Sequence, residues 1–247
     1  YRFMQKSGVM IMPILSNNFD REFRSEGIGR ILHNKQKRTL LINTVLDECV
    51  KRKFVGINLD LEELNEKSDE YLIQFVKEIS QAFHAKGLLV TQDIMPDNTD
   101  YNIRELAKYN DYLVLMAYDE YSLDSDPGPI SSQRWIEKNV DYCARQIPSE
   151  KIILGMGAYG YDWCSNPNKN QNITYQEALA MANASHSKIV FNDDTYNLSF
   201  SYKDLVTDEM HQVFFTDAAT QFNIMRFASE YGIAGTALWR LGSEDYR

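Results

Sequence analysis

Six near-continuous apolar runs, each separated from the next by helical patterning, constrain this 247-residue chain more than any other feature. They run from Gly8 to Leu15, Phe54 to Leu61, Gly87 to Ile94, Asp111 to Tyr118, Lys151 to Ala158 and Ile233 to Trp239. A strand that is apolar on both faces must be covered on both faces, the condition of a parallel sheet flanked by helices. Strand–helix alternation is the rhythm of parallel α/β architecture. Between the runs, Leu72, Phe75, Val76, Ile79 and Phe83 fall at helical spacing, with Ser68 as cap and Gly87 as stop. Leu41, Val45 and Cys49 form a second stripe, and Trp135, Ile136, Val140 and Cys143 a third. The rhythm breaks between Ile173 and Phe215. There Thr174-Tyr175-Gln176-Glu177 has the pattern of a capping box opening a short Ala-rich helix. Short alternating strands follow around Lys188 to Phe191, Leu198 to Tyr202 and Gln212 to Phe215. We read 173–215 as a small α+β insertion before the last strand of one domain covering 1–247.

The second run ends in alternating acids: Asn58-Leu59-Asp60-Leu61-Glu62, followed by Glu63. On a strand, Asn58, Asp60 and Glu62 share one face, while Val55, Ile57, Leu59 and Leu61 fill the other. Two carboxylates buried side by side are costly unless one holds a proton, and a neutral carboxyl is what a general acid needs. The same pattern also suits a strand whose acids emerge into solvent or cap the next helix. On the strand alone, both readings stand.

Acids outnumber bases, 35 to 26, for a net charge of −9, which argues against nucleic acid or an anionic membrane as partner. No apolar run has the length of a membrane span and no signal peptide is recognised; a first residue Tyr1 rather than Met reads as a processed or excised fragment. Cys49, Cys143 and Cys164 are widely spaced, without pairing or metal-ligand rhythm, and Cys49 and Cys143 read as buried thiols. His33, His84, His186 and His211 are scattered. No metal site is expected.

Val55-Gly56-Ile57-Asn58-Leu59-Asp60-Leu61-Glu62 resembles the catalytic strand of glycoside hydrolase family 18, the chitinases and related N-acetylglucosaminidases, whose pattern is Asp-Gly-x-Asp-x-Asp-x-Glu. The last Asp and the Glu are kept; Val55 and Asn58 stand at the first two Asp positions. Met116-Ala117-Tyr118-Asp119 resembles the family's Met-x-Tyr-Asp motif, and Trp239, in Ala237-Leu238-Trp239-Arg240, its strand-end Trp. Met156 to Trp163 is similar to the seventh strand end, with Tyr159 as an aromatic wall. Leu115 to Glu120, Pro127 to Ile130 and Leu238 to Asp245 look like the family 18 domains of bacterial proteins that also carry a polysaccharide deacetylase and a glycosyltransferase.

The resemblance implies a TIM-type (β/α) barrel with its chemistry at the C-terminal strand ends. Gly8 to Asn17 then corresponds to the third strand, so the first two strand–helix units would be missing. The open edges would need cover from a second copy of the chain or from a preceding segment of a longer multidomain protein. The implied activity is hydrolysis of β-1,4- or β-1,6-linked N-acetylglucosamine polysaccharide by substrate-assisted retaining catalysis, in an extracytoplasmic or cell-envelope setting. Glu62, Asp60 and Tyr118 would be catalytic. Asn58, Met116, Asp119, Tyr159, Trp239 and Asn17 would bind substrate, with Gln92 and Asp93 as further strand-end candidates. No metal or organic cofactor is implied. The alternatives are a non-catalytic carbohydrate-binding relative, of the kind that loses the terminal Glu, and a truncated, inactive domain.

Overall fold

The computed structural model describes residues 2–20, 22–64, 70–98 and 101–246. The chain divides into two compact units, Tyr1–Val114 with Gln146–Ile152, and Leu115–Arg145 with Ile153–Arg247.

The first unit contains β1 (Ile14–Ser16), α1 (Ser25–Leu32), α2 (Lys35–Arg52), β2 (Gly56–Asp60), α3 (Glu70–His84) and β3 (Leu89–Ile94). Strand β2 pairs in parallel with β1 on one side and β3 on the other, with Asn58 opposite both Ile14 and Thr91. Its side chains alternate as a period of two requires. Ile57, Leu59 and Leu61 are at most 3% exposed, while Asn58, Asp60 and Glu62 are half-buried on the opposite face. Residue 56 must be glycine, because a Cβ there would lie 2.2 Å from the Leu89 carbonyl oxygen.

The first apolar run pairs as a strand only over Ile14–Ser16, a shorter element than its composition suggests. The preceding backbone still runs along β2: Val55 N–H donates to the Ile11 carbonyl (3.0 Å) and Asn58 N–H to that of Pro13 (2.9 Å). Pro13 has no N–H to return, so the ladder stays incomplete there. In α3 the expected stripe forms, with Leu72, Phe75, Val76, Ile79 and Phe83 all buried, and Gly87 beyond it at φ +69°. The Ser68 cap lies outside the described residues. In α2 the buried line is Arg38, Ile42 and Cys49 rather than Leu41, Val45 and Cys49. The Arg38 guanidinium is buried because it pairs with Glu78 of α3 through two bonds (2.9 and 3.1 Å), a partnership apolar spacing cannot reveal.

Strand β4 (Tyr112–Met116) carries the chain into the second unit. There follow α4 (Gln133–Ala144), β5 (Ile152–Gly157), β6 (Gly160–Cys164), β7 (Gln171–Ile173), α5 (Tyr175–Ala184), β8 (Val190–Phe191), β9 (Leu198–Lys203), β10 (Met210–Phe215), α6 (Ala218–Glu230) and β11 (Gly235–Trp239). Strands β5 and β11 pair in parallel, placing Trp239 opposite Gly157. A separate antiparallel sheet has the order β8-β9-β10-β6-β7. It takes in Gly160–Cys164 and Gln171–Ile173, which precede most of the 173–215 span. Close approach permits this: a Cβ on Gly160 would sit 2.6 Å from that of Phe215. Helix α5 begins with both bonds of the Thr174/Glu177 capping box, and Tyr175, Ala178 and Ala182 pack it against Phe200, Val213 and Phe215. All six expected strands of the strand–helix rhythm are present among the described residues, as β1 to β5 and β11.

Gly56→Ala is therefore expected to destabilise the protein by about 3 kcal/mol, the upper range for forcing a methyl group into a closed space. Urea unfolding checks this; an unchanged midpoint would mean that β2 and β3 are not so closely apposed.

Candidate active site

Two acids, Asp60 and Glu62, lie on one face where β2 ends. The Glu62 carboxyl neighbours that of Asp60, and two carboxyl groups can bond only if a proton lies between them. Burial, first, then hydrogen bonding with Asp60, then the charges of Asp60, Asp93 and Glu63 push the Glu62 carboxyl up to about 8. Asp60 Oδ1 is buried and has no hydrogen-bond partner among the described residues.

The backbone of Glu62 is clamped. Asn17 Nδ2 donates to the Glu62 carbonyl (2.8 Å), while the Glu62 N–H donates to Asn17 Oδ1 (3.0 Å). Asn17, expected to bind substrate, is only 9% exposed, and both ends of its amide bond the Glu62 backbone. Asn58 is also engaged at both ends: Thr91 Oγ1 donates to its Oδ1 (2.6 Å), and its Nδ2 donates to Asp93 Oδ2 (2.6 Å). Burial raises the Asp93 carboxyl to about 7 against that hydrogen bond, with the Asp60 charge adding to the rise. Gln92 is buried with its side-chain oxygen bound to Asn110 (3.0 Å), a structural contact.

In the second unit the candidate residues form an aromatic array. Tyr118 follows β4 past the half-buried Met116, and its ring lies nearly parallel to that of Trp239, 13° apart with centroids at 6.4 Å. Gly157 makes room for it: a Cβ there would come within 2.8 Å of the Tyr118 Cβ. Trp239, at the end of β11, is 48% exposed. Asp119 adopts φ +61° and accepts hydrogen bonds from Tyr159 and, at 2.7 Å, from Tyr161. Tyr159, expected as an aromatic wall, is 2% exposed. Its ring packs edge-on against Tyr118 and Tyr161, and its hydroxyl holds Asp119. Tyr161, not singled out from the sequence, shares that task; its alternation with Tyr159 and Trp163 was the available signal.

One group of metal-capable side chains exists among the described residues, although no ligand spacing is visible along the chain. Donor atoms of Cys164, Glu209 and His211 lie within 4.8 Å of one another, because β6 and β10 place Cys164 opposite His211. His211 Nδ1 is bound to Asp162 (2.9 Å), and Glu209 is paired with Lys169 (2.7 Å).

Comparison with known proteins matches residues 4–245 to the model of the family "Glycosyl hydrolases family 18". The chain is 25% identical to the "Uncharacterized glycosylase YvbX" of Bacillus subtilis over 254 residues, covering 98% of this chain and 74% of that protein. It is 25% identical to the "Cortical fragment-lytic enzyme" of Bacillus subtilis over 273 residues, covering 96% of this chain but only 62% of that protein. Among solved structures it superposes on a chitinase from Chromobacterium violaceum with a TM-score of 0.91 at 25% identity, covering 99% of this chain and 79% of the other. These likenesses place the fold in the TIM-type (β/α) barrel class.

The raised Glu62 carboxyl also makes a stability prediction. A carboxyl that holds its proton more tightly when folded contributes stability at low pH and loses it as pH rises through the folded value. Glu62→Gln should therefore melt a few degrees above the parent near pH 9 and together with it near pH 4, the gain reduced by the partial exposure of the group. Thermal unfolding against pH checks this; a constant offset would contradict it.

Proposed function

Because the chain belongs to the glycosyl hydrolases of family 18, we propose that it cleaves β-1,4- or β-1,6-linked N-acetylglucosamine polysaccharide with assistance from the substrate's own acetamido group. The observation that carries this reading is the Asp60–Glu62 pair: one carboxyl held protonated beside another whose buried Oδ1 has no partner among the described residues. A proton available near neutral pH suits Glu62 to protonate the leaving glycosidic oxygen. The acetamido oxygen then attacks the anomeric carbon, the route that sets this family apart from hydrolases with an enzyme nucleophile. Asp60 accepts the acetamide N–H, orienting the group and offsetting the positive charge of the oxazolinium intermediate. Glu62, now a carboxylate, takes a proton from the water that opens that intermediate. Tyr118 donates to the acetamido oxygen, Asp119 binds a sugar hydroxyl, and the exposed Trp239 ring offers an apolar face to the C–H side of a sugar. The retained Glu62 favours hydrolysis over a purely lectin-like role.

Glu62→Gln should lower hydrolysis of N-acetylglucosamine oligomers by about 10³-fold or more while leaving binding largely intact, since the amide keeps the shape but carries no catalytic proton. Asp60→Ala should cost on the order of 10²-fold, and de-N-acetylated oligomers should not be cleaved. Product analysis and isothermal titration read these outcomes. Hydrolysis by Glu62→Gln at the parent rate would remove Glu62 as the acid.

A further inference from the structure

Strands β2 and β3 run parallel with Asn58 opposite Thr91 and Leu59 opposite Gln92. One step further along this register, Asp93 comes level with Asp60. The Thr91 hydroxyl bonds the Asn58 side chain, so these two side chains lie on one face of the pair. Two residues on, where side chains return to the same face, Asp93 and Asp60 lie there together. Neighbouring strands are about 4.8 Å apart, close enough for one carboxylate to oppose the charging of the next.

Asn58 fixes this arrangement. A hydroxyl donor occupies its Oδ1, so the atom facing Asp93 is the amide nitrogen, and Asp93 Oδ2 accepts from it at 2.6 Å. The strand that β2 resembles has Asp where this chain has Asn58. Here a carboxyl stands across that contact on the adjacent strand. We propose that Asp93 is a positioning residue for the Asp60–Glu62 pair: a third carboxyl, supplied from β3 and held by Asn58, whose charge keeps the catalytic proton on Glu62 as the solution becomes alkaline.

The charged groups facing Glu62 are Asp60 and Glu63 on its own segment and Asp93 from β3; Asp60 faces Asp93 in turn. All are acids, so each opposes loss of the Glu62 proton. Asp93 itself ionises at about 7, below Glu62. Its charge is thus about half developed as Glu62 begins to titrate and largely present by the Glu62 midpoint. In this role Asp93 acts through Glu62 and Asp60. This role rests on the reading of Glu62 as the acid, but the electrostatic coupling can be measured without turnover.

The test is ¹³C-carboxyl NMR titration of the full chain, paired with the pH dependence of chitooligosaccharide hydrolysis. Asp93→Asn keeps the shape and an oxygen for the Asn58 contact while removing the charge. It should lower the Glu62 midpoint by about one pH unit, a tenfold loss of proton affinity, and move the alkaline limb of kcat/KM equally. Asn58→Asp combined with Asp93→Asn returns a carboxyl across the same contact and should restore most of the midpoint. In the parent, the Glu62 resonance should show a second inflection where Asp93 titrates, a readout that requires no variant to fold. A Glu62 midpoint unmoved by Asp93→Asn, or a parent titration without that inflection, overturns the assignment. A parent with coupled titrations but no hydrolysis would instead count against the hydrolytic reading and leave the cluster standing.

Discussion

A proton kept on Glu62 by burial and by the neighbouring Asp60 carboxyl is the feature on which the rest of this structure's chemistry depends. Without it, two adjacent half-buried carboxylates would repel each other and favour exposure to water. The surrounding architecture holds the pair in place. Ile57, Leu59 and Leu61 anchor the other face of β2 in the core, so the acids cannot rotate inward without exposing three large side chains. Gly56 lets β3 approach, and β3 brings Asp93. Asn17 fixes the backbone at Glu62 from both sides, where the strand has ended and pairing no longer restrains it.

The second unit follows a different logic. Its candidate residues are aromatic, and most of the ring surface is used to pack neighbouring rings. Tyr159 and Tyr161 direct two hydroxyls at Asp119, holding one carboxylate oxygen in place. Trp239 alone among the tyrosines and tryptophans of the motif strands keeps about half its surface open, which is why it remains the strongest sugar-facing candidate. A structural hydrogen-bond network and an exposed aromatic face are thus divided between residues that the linear motif groups together.

The parts of the fold legible in the sequence were those governed by short periods. Alternation along β2 and the apolar line of α3 follow from where consecutive side chains point, and both appear as read. The Thr174/Glu177 capping box is equally local. What escaped depends on partners far along the chain. The Asn17 clamp joins residues 45 positions apart, and Arg38 is buried only because Glu78 reaches it from another helix. Strand β6 followed β5 after two residues and was hidden in a run that reads as a strand end, while Cys164 and His211 meet only through antiparallel register. Within the acid cluster, the identities of Asp60 and Glu62 were legible; the contribution of Asp93 required the register between β2 and β3.

The most direct measurement of the substrate-assisted chemistry alters the substrate rather than the protein. Chitooligosaccharides carrying acetyl, monofluoroacetyl, difluoroacetyl and trifluoroacetyl groups differ mainly in the nucleophilicity of the amide oxygen. If that oxygen attacks the anomeric carbon, kcat/KM should fall steeply and steadily along the series while the retained configuration of the product is unchanged. A rate indifferent to fluorination would contradict participation of the acetamido group and require a nucleophile from the enzyme or from water.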